Sequence, residues 1–239
     1  MKTFKEFLTE ATEQKVTTRN GKIVPKDTKE LKKLVRDESI HLGDIDTSLV
    51  DDMSWLFYES DRKDFSGIEN WDVSNVTTMS NMFWECTHFN QPIGRWDVSK
   101  VRWMDHMFFR CTHFNQPLDK WNVSNVVGMG GMFKGCSKFN QPLNSWNVSK
   151  VRDMSVMFRD CSEFNQPLDK WDVSNVRYMP KMFKACSKFN QPLNDWNVSK
   201  VEKINGMFQG ADNFRQDLSR WSKVNPNLDL DRLSEDDDD

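Results

Sequence analysis

Between Trp71 and Leu218 the apolar positions recur every 25 residues without insertion or deletion. Indoles mark the interval at Trp71, Trp96, Trp121, Trp146, Trp171, Trp196 and Trp221. In the copy Trp96–Lys120 the apolar columns shared with the other copies are Trp96, Val98, Val101, Met104, Met107, Phe108, Cys111, Phe114 and Leu118. Asn115, Gln116 and Pro117 are the fixed polar interruption. Self-similarity at such a period marks units that bury a continuous core by stacking. Val101, Met104, Phe108 and Cys111 stand at i, i+3, i+7 and i+10, the spacing of one face of a short helix, whereas Trp96 and Val98 alternate with polar neighbours as in a strand. Ser99, repeated from Ser74 to Ser199, stands where a helix N-cap is wanted. Pro117 forbids helix across its position. The pattern predicts an α/β repeat with one short parallel strand and one short helix per turn, like residues lying on like at ~4.8 Å per step.

The polar columns qualify this picture. The residue after each serine runs Asn75, Lys100, Asn125, Lys150, Asn175, Lys200, so lysine recurs only in every second copy. That doubles the ammonium spacing to about one Debye length, and a duplication of 50-residue pairs leaves the same trace. The residue after each tryptophan is Asp72, Asp97 and Asp172 or Asn122, Asn147 and Asn197.

The phrases WDVSNVTTMSNMFWECTHFNQPI and WDVSNVRYMPKMFKACSKFNQPL resemble the 25-residue repeat of bacterial and mycoplasma surface proteins, a branch of the BspA-like leucine-rich repeats. The resemblance implies a right-handed leucine-rich-repeat-like solenoid, a non-catalytic ligand-binding scaffold often found on cell surfaces. Leu118, Trp121 and Val123 stand where the general LxxLxL phrase has its leucines, but Val126 replaces its usual asparagine.

On either side of residues 71–220 the pattern loosens. Residues 26–70 read as an N-terminal cap: a helical stretch with Leu31, Leu34 and Val35, then a degenerate first copy from Ile45, whose link to Trp71 is one residue longer than the period. Residues 221–239 read as a C-terminal cap with an acidic tail, Pro226 ending the last turn. Residues 1–25 read as an amphipathic helix and a flexible link, with Phe4, Phe7, Leu8 and Ala11 on one face. This segment lacks the apolar core of a signal peptide. It reads either as a helix packed on the end of the array or as a targeting peptide. MKTFKEFLTEA is similar to the capsid-targeting peptide of internal head proteins in T4-like phages. That similarity implies contacts with the prohead scaffold and cleavage by the prohead protease at the Leu8-Thr9-Glu10 triplet, leaving Ala11 first. It also implies a location in the virion interior or the host cytoplasm; the surface-repeat resemblance implies the cell surface, by a route the sequence does not display.

Charge and chemistry narrow the function classes. The chain has a formal net charge of −3, and no apolar run approaches the ~20 residues of a membrane helix. Lysines and arginines near the N-terminus are interspersed with acids, so nucleic-acid binding is not expected. Cys86, Cys111, Cys136, Cys161 and Cys186 share one apolar column and read as small buried hydrophobes. His88 and His113 share a column but no His/Cys spacing suggests a metal, and no cofactor is expected. Nothing resembles a nucleophile elbow, P-loop or HExxH, so no enzyme is expected.

The variable columns point to a protein partner, a host or virion protein. Trp84 and Phe109 share a column, and with Arg102, Trp103, His106 and Arg110 they form an aromatic and arginine group of hot-spot composition. Gly128, Gly130, Gly131 and Gly135 in the next copy suggest a place where a partner could approach the backbone.

Overall fold

The computed structural model describes residues 17–60 and 62–234. From Asp52 onward, single parallel bridges join Asp52 to Thr78, Thr78 to Trp103, Trp103 to Gly128, Gly128 to Asp153, Asp153 to Tyr178 and Tyr178 to Lys203. Each 25-residue copy therefore lies on the next in register. Beyond the bridge, alternate amides donate forward into the following copy: Met104 to the Gly128 carbonyl (3.0 Å), His106 to Gly130 (2.8 Å), Phe108 to Met132 (2.9 Å) and Arg110 to Lys134 (2.7 Å). The amides between them close tight turns, Met107 onto Met104 (3.2 Å), Phe109 onto His106 (3.1 Å) and Cys111 onto Phe108 (2.9 Å).

The helix expected over Val101–Cys111 is thus a succession of turns. Two columns explain it. Trp55, Asn81, His106, Gly131, Val156, Lys181 and Gly206 occupy one, and Glu59, Glu85, Arg110, Gly135, Asp160, Ala185 and Gly210 the other, all at φ between 50° and 78°. A left-handed residue at every fourth position breaks the right-handed path and turns alternate N–H groups outward, where only the next copy can satisfy them. The i, i+3, i+7, i+10 spacing records which side chains face inward, and inward-facing turns produce it as well as a helix does. The pairing expected at Trp96 and Val98 falls instead on the column of Trp103. Ser99 does not cap a helix either: its amide donates to Asp97 Oδ1 at 3.0 Å. The same turn forms at Ser124 on Asn122 and at Ser174 on Asp172. Only an acceptor oxygen is used, so aspartate and asparagine interchange in that column.

Inside, like stacks on like. Trp96 lies 6.5 Å from Trp121 with planes 5° apart, and Phe108 lies 5.6 Å from Phe133 at 9°. The polar atoms of this core reach back one copy: Trp121 Nε1 donates to the Ile93 carbonyl (3.1 Å) and Cys136 Sγ to that of Phe108 (3.0 Å). The five cysteines are free, and burial pushes the Cys86 thiol up to about 12 and raises the other four thiols as well. They stay protonated and act as small hydrophobes with one donor. The Asn-Gln-Pro interruption forms a ladder in which Asn140 N donates to Asn115 Oδ1, Asn165 N to Asn140 Oδ1 and Asn190 N to Asn165 Oδ1, each at 3.0 Å.

Both ends are sealed. Residues 17–24, expected to be a flexible link, instead carry a two-stranded hairpin, β1 (Thr18–Arg19) and β2 (Lys22–Ile23). Asn20 and Gly21 both take positive φ, as a two-residue hairpin turn needs, and Ile23 bridges to Ile45. Helix α1 (Thr28–Arg36) is capped by Asp27 and buries Leu31, Leu34 and Val35. The buried Arg62 guanidinium fastens this cap, donating to the carbonyls of Val35 (2.8 Å), Ile40 (2.6 Å) and Asp64 (2.7 Å). At the far end helix α2 (Ser219–Val224) buries Trp221. The carbonyls of Arg232 and Leu233 then accept from Gly206 and Phe208, replacing the next copy. Among the described residues no helix is long and apolar enough to cross a membrane.

Candidate functional site

The columns of left-handed residues set the candidate face, because none of their side chains is buried in the core. Trp84 and Phe109 stack at 3.8 Å with planes 21° apart. His106 lies 5.5 Å from Trp84 and 5.9 Å from Phe109. The Arg110 guanidinium sits 5.3 Å from the Phe109 ring and pairs with Glu85 at 2.8 Å, while Lys134 Nζ stands 5.1 Å from the same ring. Phe109 is only 6% exposed. It is the floor of the patch, and Trp84 is its half-buried wall.

Two residues missed in the sequence complete the face. Trp55 lies 5.9 Å and Tyr58 6.2 Å from Trp84, and they pack edge to face at 5.1 Å. They are 44% and 38% exposed, so the most accessible aromatic surface of this cluster lies in the degenerate first copy. The signal was present: shifting by 26 residues for the longer link aligns Tyr58 with Trp84 and Trp55 with Asn81.

The structure divides the six candidate residues. Trp84, His106, Phe109 and Arg110 come together. Arg102 and Trp103 do not join them: among the described residues Trp103, 48% exposed, stacks on no aromatic ring, and it leans instead over Gly128. Nor is the glycine copy bare. A Cβ at Gly128 would meet Asp105 Oδ2 at 2.5 Å and Trp103 Cε3 at 2.8 Å, one at Gly131 would meet His106 Cδ2 at 2.5 Å, and one at Gly135 would meet Arg110 Cγ at 2.9 Å. The glycines make room for side chains of the Trp96 copy, which removes the expected approach to the backbone. Leu8, Glu10 and Ala11 lie outside the described residues.

Burial tunes the groups under the patch. Desolvation, followed by the charge of Lys134, lowers the His106 pKa against the attraction of Asp153. Desolvation raises that of Asp105 although the Gly130 amide donates to its Oδ1 at 2.9 Å. His88 and His113 stack at 6.2 Å, and His113 Nδ1 lies 2.8 Å from the Thr87 carbonyl. Among the described residues no three His, Cys, Asp or Glu side chains cluster as metal ligands. The site offers planar apolar surface with a cationic rim.

The family described as "Mycoplasma protein of unknown function, DUF285" matches residues 28–144 and again 132–229. No curated protein and no solved structure matches the chain.

Proposed function

The chain belongs to this family of mycoplasma proteins of unknown function, and from that premise we propose that it is a non-catalytic solenoid scaffold that binds another protein through the aromatic face. The observation that carries this reading is the run of Trp55, Tyr58, Trp84 and Phe109 across three successive copies, with ring centroids 3.8 to 6.2 Å apart and exposed indole and phenol at one end. Clustered aromatic rings with an arginine rim are the composition of an interface centre. Charges are kept to the edge, at Arg110, Glu85 and Lys134.

The N-terminal similarity supports a finer form: a phage internal head protein, guided by residues 1–11 to the prohead scaffold, cut after Glu10 and delivered to bind a host protein. The surface-repeat resemblance of the array supports a second form, an adhesion or recognition module. Mass spectrometry of the protein from its native source separates them: a mature N-terminus at Ala11 upholds the first, and intact Met1 in a cell-surface fraction upholds the second. For the face itself, Trp55→Ala with Trp84→Ala is expected to abolish capture of partners that the wild-type chain retains. An unchanged set of captured proteins refutes the assignment.

A further inference from the structure

Arg102 and Trp103 open a second surface. Arg102, Arg152 and Arg177 occupy one column of the array and Lys100, Lys150 and Lys200 another two residues earlier, all six exposed. The lysines are held in place one copy back: Lys100 on Asn75 Oδ1, Lys150 on Asn125 Oδ1 and Lys200 on Asn175 Oδ1, each at 2.7 Å. Along the later four of these, beyond Lys100 and Arg102, runs an open groove of about 690 Å³, with Lys150, Arg152, Arg177, Lys200 and Tyr178 in its lining and no carboxylate.

Most of the charge here is uncompensated. Arg177 pairs with Glu202 at 2.9 Å, but Lys150 and Lys200 bond neutral amide oxygens and Arg152 forms no ion pair among the described residues. Elsewhere on the array Arg110, Lys188 and Arg220 each face a carboxylate. Asp153, beside Arg152, spends Oδ1 on the Ser155 amide. In a chain of net charge −3 this leaves a positive stripe. An aromatic ring flanks an arginine at both ends, Trp103 beside Arg102 and Tyr178 beside Arg177, three copies or ~14 Å apart at ~4.8 Å per step.

We infer that this stripe binds an extended single strand of nucleic acid running along the array, its phosphates on Arg102, Lys150, Arg152, Arg177 and Lys200 and its bases on Trp103 and Tyr178. Adjacent guanidinium groups on successive copies suit a phosphate oxyanion shared between them. Rings beside a basic track are what single strands use, since every base offers a stacking face. A run of acidic residues alone has charges to match but no planar face for the rings. The cations were dispersed along the sequence, and only stacking of the copies gathers them.

Fluorescence anisotropy of a labelled oligothymidylate of about 15 nucleotides, titrated with the full chain between about 50 and 200 mM salt, tests this. The wild type is expected to bind with a log–log salt slope near −2.8, from about four phosphates at roughly −0.7 each, one of them shared by Arg152 and Arg177. Arg152→Ala with Arg177→Ala should weaken binding at least tenfold at the low-salt end and flatten the slope by about 0.7, the share of the one phosphate they hold. Trp103→Ala with Tyr178→Ala should weaken it about fivefold or more while leaving the slope unchanged. All four side chains lie at the surface, and an unchanged melting temperature verifies folding. Absence of binding, unchanged affinity in the arginine variant, or displacement of the strand by polyglutamate or a sulfated polysaccharide as readily as by unlabelled oligothymidylate overturns the inference. Trp55 and Trp84 lie outside the groove, so this result is independent of the protein-binding face.

Discussion

Lys150 donates its ammonium to Asn125 Oδ1 at 2.7 Å, and the Nδ2 of the same asparagine donates to the Ser99 carbonyl at 2.8 Å. The link repeats at Lys200, Asn175 and Ser149. Each asparagine couples the copy before it to the copy after it, and the lysine supplies a donor that the next asparagine would otherwise have to provide. Alternation is therefore a hydrogen-bonding device as well as a way of keeping ammonium groups apart.

Asn125→Lys tests both halves. It places three ammonium groups in successive copies and removes the acceptor of Lys150. The variant is expected to melt about 2–4 °C lower at low ionic strength, a loss of about 1 kcal/mol. Part of that loss should return in about 1 M salt, where charges ~5 Å apart are screened. A melting temperature that ignores salt leaves only the lost hydrogen bond as the cause.

Val156 is a β-branched residue at φ 51°, in a column where other copies carry Gly131 and Gly206. Holding a non-glycine residue there costs about 1–2 kcal/mol. Val156→Gly is expected to raise stability by about 1 kcal/mol in chemical denaturation, despite glycine's greater freedom when unfolded. A destabilised variant means the valine side chain contributes more packing than the strain it imposes.

Arg62 donates to three carbonyls of the N-terminal cap within 2.8 Å and, more weakly, to a fourth, that of Asp37, at 3.4 Å. Arg62→Leu leaves those oxygens buried without donors and should cost about 3 kcal/mol or more, since unsatisfied buried acceptors cost ~1–3 kcal/mol each. Hydrogen exchange should show α1 losing protection before the central copies do. Uniform loss across the chain contradicts a local fastening role.

The pH response of the aromatic face follows from His106. Its pKa is lowered by burial, so its contribution to stability is present above the unfolded value of about 6.5. That contribution is lost as pH falls through the lower folded value, where the imidazole must charge in the fold. Asp105, raised by burial, acts in the opposite direction, gaining as pH falls towards the ordinary carboxylate range. Thermal melts between about pH 7.5 and 5.5 should therefore fall for the wild type and fall less for His106→Asn, which keeps a residue tolerant of positive φ. Parallel curves remove His106 as the titrating group.

The sequence made the period, the core columns and the shared column of Trp84 and Phe109 legible, because those depend only on which side chains face inward. It misassigned the backbone over Val101–Cys111, since the left-handed positions are filled by Asn, His, Lys, Glu and Arg more often than by glycine and carry no residue signature. It also scattered the groove of Lys150, Arg152, Arg177 and Lys200 over 51 residues, where no local rule gathers it. Trp55 and Tyr58 were hidden by one extra residue in the link to Trp71.

The asparagine–lysine alternation also makes the gene's arithmetic even. Excising residues 121–145 would bring Lys100 and Lys150 into neighbouring copies with no amide between them, whereas excising 121–170 would rejoin Lys100 to Asn175 and restore the sequence of partners. Shortening or lengthening by pairs conserves the seam; an odd step leaves a fault that every later generation of the array would inherit.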